Sequence, residues 1–287
     1  MVVLENEKLK VVIREAGAEV REIFHKEHQL QFMWSGDKNH WGRVAPILFP
    51  IVGKLKDNSY EVDDHVYSMS QHGFLRDQNF SVEEATDKKA VFKCASQGRF
   101  KEKYPYEFEV YITYELKGVS LDVNWRVINK NQGNMYFSIG GHPAFNIPLL
   151  SGEILEDYFL EFTPSERAVE RYYLDGTKNK EENLSRLNLE PHMFAKDALI
   201  FTNIDEISIK SNKNPYSIKL NFKDFPFVGV WTRYYDDNDS VAPFLCIEPW
   251  YGIADIGDNY GDFTKKVGIN KLDQGESFDK TYSISIR

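Results

Sequence analysis

The feature that most constrains the fold of this chain is a strict alternation of apolar and polar positions over residues 108–127. Apolar side chains occupy every second position, first up to Lys117-Gly118 and then again after it. They are Phe108, Val110, Ile112, Tyr114 and Leu116, followed by Val119, Leu121, Val123, Trp125 and Val127. A period of two is that of a β-strand with one buried face, and glycine favours a tight turn. The pattern predicts a long antiparallel hairpin.

The same alternation recurs near both ends of the chain. It is seen at Leu9, Val11 and Ile13, at Tyr216, Ile218, Leu220 and Phe222, and at Tyr282, Ile284 and Ile286. No long amphipathic helix and no linker interrupts it, although residues 181–189 are compatible with a short helix. The sequence therefore predicts a single all-β domain over residues 1–287, folded as a large antiparallel β-sandwich.

Charge and composition narrow the class of function. The formal net charge is -9, which argues against a nucleic acid partner because such binding needs a basic face. A local pair of arginines could still hold a small anion. Cys94 and Cys246 lie in apolar, β-patterned stretches without zinc-ligand spacing, which predicts two buried, reduced thiols. Residues 1–13 contain no basic region and no long apolar run, so we expect no signal peptide, no membrane partner and a cytoplasmic location.

Four stretches depart from the alternation and carry polar side chains able to do chemistry. They are residues 41–53, 71–77, 140–146 and 245–252. The first three combine glycine or proline with histidine or arginine, and the fourth ends an apolar strand with a carboxylate. Loops on a rigid β scaffold are where function concentrates. A functional site built from these stretches is therefore expected.

His142 and Glu248 are the two candidates for acid–base chemistry. His142 follows two glycines and precedes Pro143, which fixes the chain just beyond the imidazole. It can serve as a general acid, or it can pack as a structural histidine among aromatic neighbours. Glu248 lies between Ile247 and Pro249, where desolvation raises the pKa of the carboxyl and improves it as a base near neutral pH. The structural alternative is a strand-end glutamate paired with an arginine.

Other polar residues of these stretches have similarly divided interpretations. His72 is either a ligand-binding histidine or a turn residue bonded to the backbone. Arg43 is a substrate clamp or a buried structural arginine, and Arg76 can simply pair with Asp77 at the surface. The remaining histidines lie in polar contexts that predict surface positions. They are His25, His28, His40, His65 and His192.

Taken together, four motifs resemble the aldose 1-epimerase (galactose mutarotase) family, and most closely its LacX-type branch. In the family's order they are Pro46-Ile47-Leu48-Phe49-Pro50, His72-Gly73-Phe74, Gly141-His142-Pro143-Ala144-Phe145 and Ile247-Glu248-Pro249-Trp250. The likeness runs from the first hairpin to the closing Gly275-Glu276-Ser277-Phe278. Each motif is weak alone, whereas four in order are fairly specific. The resemblance implies a β-sandwich whose concave face holds a sugar.

The resemblance also implies a role for each candidate residue. His142 matches the family's catalytic histidine, here the general acid, and Glu248 matches its catalytic glutamate, the general base. His72 matches a second active-site histidine that hydrogen-bonds the sugar, and Arg43 lies where the family often has a substrate-contacting arginine. Asp197 lies where relatives carry a sugar-binding aspartate, with a structural role equally open.

The implied reaction is the interconversion of α and β anomers of a hexose by ring opening and closure. It needs one base and one acid, and no metal or cofactor. Arg76 is a further substrate-binding candidate, and Trp250 (or Phe74) is expected to pack on the sugar face. The expected partner is a small sugar, bound by a monomer or a homodimer.

Other functions remain open at this point. Arg43, Arg76 and Lys54 are enough to hold the phosphate of a hexose 6-phosphate, although the acidic net charge favours a neutral hexose. A glycosidase needs a second carboxylate in the cleft. A sugar-binding module predicts binding without anomer exchange. A metal site made of His72, His142 and Glu248 lacks a recognised ligand spacing.

Overall fold

The computed structural model describes residues 1–181, 184–258 and 260–287. Over these residues the chain forms 27 strands and five short 3-10 helices. The strands are β1 Val2–Glu5, β2 Leu9–Arg14, β3 Glu19–His25, β4 Leu30–Gln31, β5 Ile47–Leu48, β6 Ser59–Val62, β7 His65–Ser68, β8 Ser81–Ala85, β9 Lys89–Ala95, β10 Phe108–Lys117, β11 Ser120–Asn129, β12 Met135–Phe137, β13 Ile139–Gly141, β14 Ala144–Asn146, β15 Tyr158–Pro164, β16 Val169–Tyr172, β17 Lys178–Glu181, β18 Arg186–Asn188, β19 Leu199–Thr202, β20 Ile204–Ser211, β21 Ser217–Asn221, β22 Phe227–Trp231, β23 Tyr234–Tyr235, β24 Ser240–Val241, β25 Phe244–Tyr251, β26 Asn270–Leu272 and β27 Ser277–Ile286. The 3-10 helices are Lys56–Asn58, Leu75–Asp77, Leu155–Asp157, Pro191–Phe194 and Phe263–Lys265.

The long hairpin predicted from the alternation is confirmed. Strands β10 and β11 pair antiparallel, from Phe108 opposite Asn129 to Lys117 opposite Ser120. Buried and partly exposed residues alternate along both strands. Gly118 closes the turn with φ +59°, a backbone conformation that costs glycine little.

Two large sheets form the body of the molecule, and the predicted antiparallel β-sandwich is confirmed. One has nine strands in the order β18-β15-β20-β21-β27-β11-β10-β9-β8. The other has eight, in the order β17-β16-β19-β22-β25-β13-β5, with β14 also paired to β25. Residues of both sheets contribute to one continuous apolar core. The sheets approach closely at Gly141, where a Cβ atom would lie 3.3 Å from the Trp125 ring of the opposite sheet.

Smaller sheets flank the sandwich. Strands β1 to β4 form a four-stranded sheet, and β6–β7, β12–β26 and β23–β24 form two-stranded pairs. Both cysteines are buried free thiols, Cys94 in β9 and Cys246 in β25, as predicted. No helix in the described residues is long and apolar enough to cross a membrane.

The short helix predicted over residues 181–189 is wrong for the part of that stretch that the structure describes. Strand β17 ends at Glu181 and β18 covers Arg186–Asn188, while residues 182 and 183 lie outside the described ranges. Strand β18 pairs with β15 at the edge of the nine-stranded sheet. The Arg186 guanidinium also lies 3.5 Å from the centre of the Phe159 ring. These tertiary contacts outweigh the local helix propensity.

The surface position predicted for His25 is also wrong. This side chain is 3% exposed and stacks on His28 with ring centroids 4.1 Å apart. It ends β3, where one face of the strand packs on the core. A polar sequence context does not reveal which face of a strand a residue occupies, because burial follows register rather than neighbours in sequence.

Candidate active site

A cavity of about 690 Å³ lies on the face of the eight-stranded sheet that is turned away from the core. All seven side chains that the sequence analysis proposed for the site line this cavity. They are Arg43, His72, Arg76, His142, Asp197, Glu248 and Trp250. They come from the four irregular stretches and from the segment before β19, which are distant in sequence. The fold therefore gathers them at one place.

Strand pairing sets His142 directly opposite Glu248. Strands β13 and β14 both pair with β25, and the register matches Gly140 with Trp250 and Ala144 with Cys246. His142 lies midway between these two pairs, so the same register brings it to Glu248. Its backbone N–H donates to the Pro46 carbonyl at 3.1 Å, which continues the register of β13 with β5 on the other side. The sheet itself thus aligns the two side chains.

The two groups are in contact and almost fully buried. His142 Nε2 lies 3.2 Å from Glu248 Oε2, and the residues are 5% and 1% exposed. Burial raises the pKa of Glu248 well above 4.5, and the charge of Asp197 adds to this rise. Burial also lowers the pKa of His142 well below 6.5, with further contributions from His72 and the two arginines. The uncharged forms are favoured, so the pair holds one proton, which rests on the carboxyl group.

This protonation state agrees with the sequence analysis for one partner and differs for the other. The raised pKa expected for Glu248 is confirmed. His142, expected to act as an imidazolium, rests as a neutral imidazole because burial lowers its pKa and disfavours the charged form. An ion pair of the two groups contains the same number of protons, so it differs from the resting state only in which group holds the proton.

Aromatic rings hold the His142 imidazole in place. Trp41 stacks on it with ring centroids 4.7 Å apart and planes inclined by 28°. Trp231 meets it edge-on at 5.6 Å, and the His72 ring does so at 5.4 Å. These contacts exclude water and leave the imidazole little rotational freedom.

His72 is held as a neutral hydrogen-bond donor. It has φ +66° and exchanges two hydrogen bonds with Gly53. The His72 N–H donates to the Gly53 carbonyl at 2.8 Å, and the Gly53 N–H donates to His72 Nδ1 at 3.1 Å. Because Nδ1 accepts, the proton of the neutral ring is on Nε2. Burial, followed by the charges of Arg76 and Arg43, lowers the pKa of His72 to about 3.

Arg43 and Arg76 form a cationic side of the cavity. Arg43 Nη2 donates to Asp77 Oδ1 at 2.9 Å, so Asp77 pairs with Arg43 and not with Arg76, its neighbour in sequence. Arg76 Nη2 donates to the Gln71 carbonyl at 2.8 Å. Its Nε is buried and has no hydrogen-bond partner among the described residues. Burial and the nearby Arg43 charge lower the pKa of Arg76 to about 10.

Trp250 lies across the sheet and forms an apolar part of the cavity wall. Two glycines on the neighbouring strands make room for its indole. A Cβ atom would lie 2.6 Å from the ring at Gly140 and 2.4 Å from it at Gly229. No larger residue fits at either position without displacing the ring. The absence of these two side chains therefore allows the indole to lie flat on the sheet.

Asp197 borders the cavity near Glu248, whose pKa it raises. Its Oδ1 accepts a hydrogen bond from the Ala198 N–H at 2.8 Å. Its backbone has φ +86°, a conformation that is strained for residues other than glycine. Backbone strain of this kind is concentrated at functional sites. The structure thus places this side chain at the site.

The sequence analysis missed several residues of the site. Trp41, Trp231 and Arg233 line the cavity, as does His40, for which a surface position was predicted. His40 Nδ1 lies 2.6 Å from the Tyr235 hydroxyl, and the Arg233 guanidinium donates to the His40 carbonyl at 2.7 Å. Trp41 opens the first irregular stretch, which was the available signal. The other contacts join residues almost 200 positions apart and leave no local pattern.

The metal-ligand set considered from sequence is not formed. Among the described residues, the potential ligands that cluster are His142, Cys246 and Glu248, whose ligand atoms all lie within 4.8 Å of one another. The third potential ligand beside His142 and Glu248 is therefore Cys246, and not His72 as considered from the sequence. The Nδ1 atom of His72 already accepts a hydrogen bond from Gly53.

Residues 1–269 match the family model described as aldose 1-epimerase. The chain belongs to the aldose 1-epimerase family. The resemblance inferred from the four motifs is thereby confirmed.

Relatives of this epimerase-family chain match it over nearly its whole length. It is 30% identical to the chromosomal protein LacX of Lactococcus lactis subsp. lactis, covering 99% of this chain and 98% of that protein. A galactose mutarotase related enzyme from Lactobacillus acidophilus has a TM-score of 0.93 and 35% identity, covering 99% of this chain and 96% of that one. A galactose mutarotase-like protein from Lactobacillus casei ATCC 334 has a TM-score of 0.93 and 30% identity, with 100% of both chains covered.

Proposed function

We propose that this protein is an aldose 1-epimerase that interconverts the α and β anomers of a hexose. The observation that carries the proposal is the buried contact of His142 Nε2 with Glu248 Oε2 at 3.2 Å, on the wall of a cavity. An acid and a base so close together can reach two oxygen atoms bonded to the same carbon. The hemiacetal carbon of a cyclic sugar carries two such oxygens, the O1 hydroxyl and the ring O5.

Ring opening requires a proton to leave O1 and another to reach O5. In the ion-pair form, the Glu248 carboxylate takes the O1 proton and the His142 imidazolium gives a proton to O5. The C1–O5 bond breaks and the aldehyde forms. Rotation about C1–C2 and reversal of both transfers close the ring as the other anomer. Acid–base assistance of this kind contributes ~10²–10⁴-fold.

Burial of the pair supports this cycle. Ring opening converts the charged pair to the neutral pair, which is the form favoured in the dry cavity wall. Ring closure reverses both transfers and so restores the ion pair for the next opening. Because both forms contain one proton, the cycle consumes no acid or base from solution.

Other groups of the cavity would orient the sugar. His72 Nε2–H can donate to a ring or hydroxyl oxygen, and Asp197 can accept from a hydroxyl group. The flat Trp250 indole can cover the apolar C–H face of a pyranose. The high aromatic content of the wall, with Trp41 and Trp231 beside His142, would keep water from the reacting carbon.

The direct test is polarimetry of freshly dissolved aldoses with the purified protein. We expect faster mutarotation for at least one hexose, and loss of the acceleration in Glu248→Gln. A sugar-binding module would bind the sugar with unchanged anomer exchange, which would contradict the proposal.

We also propose that the enzyme acts in the reducing cytoplasm. Both of its cysteines are free thiols, which suits that compartment.

A phosphorylated hexose is a second candidate substrate. The net charge of the chain favoured a neutral hexose, whereas the charge distribution within the cavity favours the phosphorylated one. The charges of the two arginines, Arg43 and Arg76, lower the pKa values of the two histidines. The charge of Asp197 instead raises the pKa of Glu248. The ring oxygen O5 joins C1 to C5, and C5 also carries C6. If His142 protonates O5, the C6 substituent lies toward the arginines. Glucose and galactose compared with their 6-phosphates at low and high salt would separate the two substrates.

The cavity also contains two further carboxylates of the kind that a glycosidase would need, Asp197 and Asp236. In this site, however, the partner in contact with Glu248 is an imidazole, His142. An imidazole and a carboxyl suit proton exchange on a free hemiacetal. We expect no release of nitrophenol from a panel of nitrophenyl hexosides, and such release would favour the glycosidase.

A further inference from the structure

Cys246 lies at the catalytic pair and has no part in the mechanism above. It precedes Glu248 by two residues on β25, so both side chains are on the face turned away from the core. Its thiol is fully buried. The ligand atoms of His142, Cys246 and Glu248 are all within 4.8 Å of one another. A sulfur, a nitrogen and an oxygen ligand therefore converge at one point behind the cavity wall.

Two atoms of this cluster lack the partners that buried polar atoms normally have. Glu248 Oε2 and His142 Nδ1 are buried and form no hydrogen bond with any described residue. The 3.2 Å contact of Glu248 Oε2 with His142 is close enough for a hydrogen bond, but its angles do not suit one. Buried polar atoms are satisfied in the great majority of cases, so the unpartnered carboxylate oxygen points to a ligand.

The donor set matches zinc. Zn²⁺ binds thiolate sulfur at ~2.3 Å, imidazole nitrogen at ~2.0–2.1 Å and carboxylate oxygen at ~2.0–2.2 Å, in a tetrahedron. Two ligands of one such ion are therefore about 3.3–3.7 Å apart. The His142–Glu248 contact of 3.2 Å is already near this value. Magnesium and calcium prefer oxygen ligands and do not suit a thiol.

Charge also favours zinc at this buried position. Zn²⁺ with one thiolate and one carboxylate is neutral overall, so burial does not penalise the cluster as it penalises a lone charge. Binding releases two protons at neutral pH, one from the Cys246 thiol and one from the Glu248 carboxyl. No redox change accompanies the exchange.

We propose that His142, Cys246 and Glu248 form an inhibitory binding site for Zn²⁺, with the fourth coordination position toward the cavity. The metal replaces the proton that the catalytic pair shares and occupies both groups that would act on the sugar. Zinc therefore competes with turnover. The inference adds regulation to the proposed epimerase, but metal binding itself does not depend on that function.

The experiment compares the parent protein with Cys246→Ala and with Cys94→Ala, a matched control at the other buried cysteine. Each is titrated with zinc chloride or magnesium chloride in the mutarotation assay, and EDTA is then added. We expect zinc inhibition, reversed by EDTA, in the parent and Cys94→Ala. In Cys246→Ala the zinc concentration for half inhibition should rise by about tenfold or more, since one of three ligands is lost. Magnesium should not inhibit any of them.

Metal binding is measured separately from activity. Cobalt(II) added to the parent and to Cys94→Ala should give a thiolate-to-cobalt absorption band and one bound ion per chain by equilibrium dialysis. The band should be absent in Cys246→Ala. No bound metal in the parent, or equal zinc affinity in Cys246→Ala, would overturn the proposal. If the protein binds zinc through Cys246 but does not catalyse mutarotation, the proposed function fails and the metal site stands.

Discussion

The His142 imidazole stacks on the Trp41 indole, with centroids 4.7 Å apart and an angle of 28° between the planes. Trp41 acts through His142, because its ring covers the imidazole and contributes to the burial that lowers the pKa of that group. It is thus a positioning residue of the proposed reaction. The effect of replacing Trp41 should therefore appear in the pH dependence of the reaction.

We expect Trp41→Leu to move the acidic limb of the pH profile of kcat/KM to higher pH. Water admitted beside His142 would bring the pKa of the imidazole back toward 6.5. Trp41→Phe, which keeps an aromatic face, should shift the limb less. Polarimetric rates between about pH 4 and pH 9 would measure this. A lower rate with an unmoved limb would assign Trp41 to sugar binding alone.

Replacement of either proposed catalytic group should abolish most of the proposed activity. His142→Ala and Glu248→Gln should each lower the mutarotation rate by about 10²-fold or more. Circular dichroism would check that the fold survives. Near-normal turnover in either variant would remove that residue from the mechanism.

Glu248→Gln should also stabilise the protein near neutral pH. The folded pKa of Glu248 is raised above 4.5, so its contribution to stability is full below that pH and is lost as pH rises toward the folded pKa. Glutamine carries no such dependence. The free energy of unfolding of the variant should therefore equal that of the parent in acid and exceed it at neutral pH. Urea unfolding at several pH values tests this, and a destabilised variant at neutral pH would contradict it.

His72 should make the protein sensitive to acid. Its folded pKa of about 3 lies below its ordinary value of 6.5. The contribution to stability is therefore full above 6.5 and is lost as pH falls toward 3, at up to about 1.4 kcal/mol per pH unit. His72→Asn should flatten this decline, and His65→Asn, at an exposed position, should leave it unchanged. Urea midpoints at about pH 7 and pH 4.5 would show the difference.

The space above Gly229 should be needed for sugar binding. In Gly229→Ala the new Cβ atom would meet the Trp250 ring at 2.4 Å, so the indole must move into the cavity. KM should rise by about tenfold, the effect of losing ~1.4 kcal/mol of contact. Gly133→Ala is a matched control, since no atom lies within 4 Å of the added carbon. An unchanged KM in Gly229→Ala would exclude Trp250 from the sugar-binding surface.

The sequence was sufficient to predict the sandwich and to select seven residues that the fold brings to one cavity. Alternation reports which face of a strand is buried, and the β10–β11 hairpin obeys it over its full length. Short motifs then identified His142 and Glu248. The alternation is read from consecutive residues, whereas the motifs became specific only because four of them occur in order along the chain.

The remaining parts of the site depend on contacts between distant segments. Asp77 pairs with Arg43 and not with adjacent Arg76. This pairing depends on the tertiary contact between the segments that contain Arg43 and Asp77. The neutral resting state of the catalytic pair needs the burial supplied by Trp41 and Trp231. A pKa depends on the whole surroundings of a group, so a motif predicts the residue but not its charge.

The register of β13 and β14 against β25 has a consequence for how this scaffold can change. His142 and Glu248 are aligned by backbone ladders. In contrast, Arg43, His72 and Asp197 come from loops and Arg76 comes from the short 3-10 helix Leu75–Asp77. Loops tolerate insertion and exchange, but a one-residue slip in a strand turns every side chain to the opposite face. Exchange of residues 71–77 would therefore change the groups that face a bound molecule, while the register that aligns His142 with Glu248 is kept.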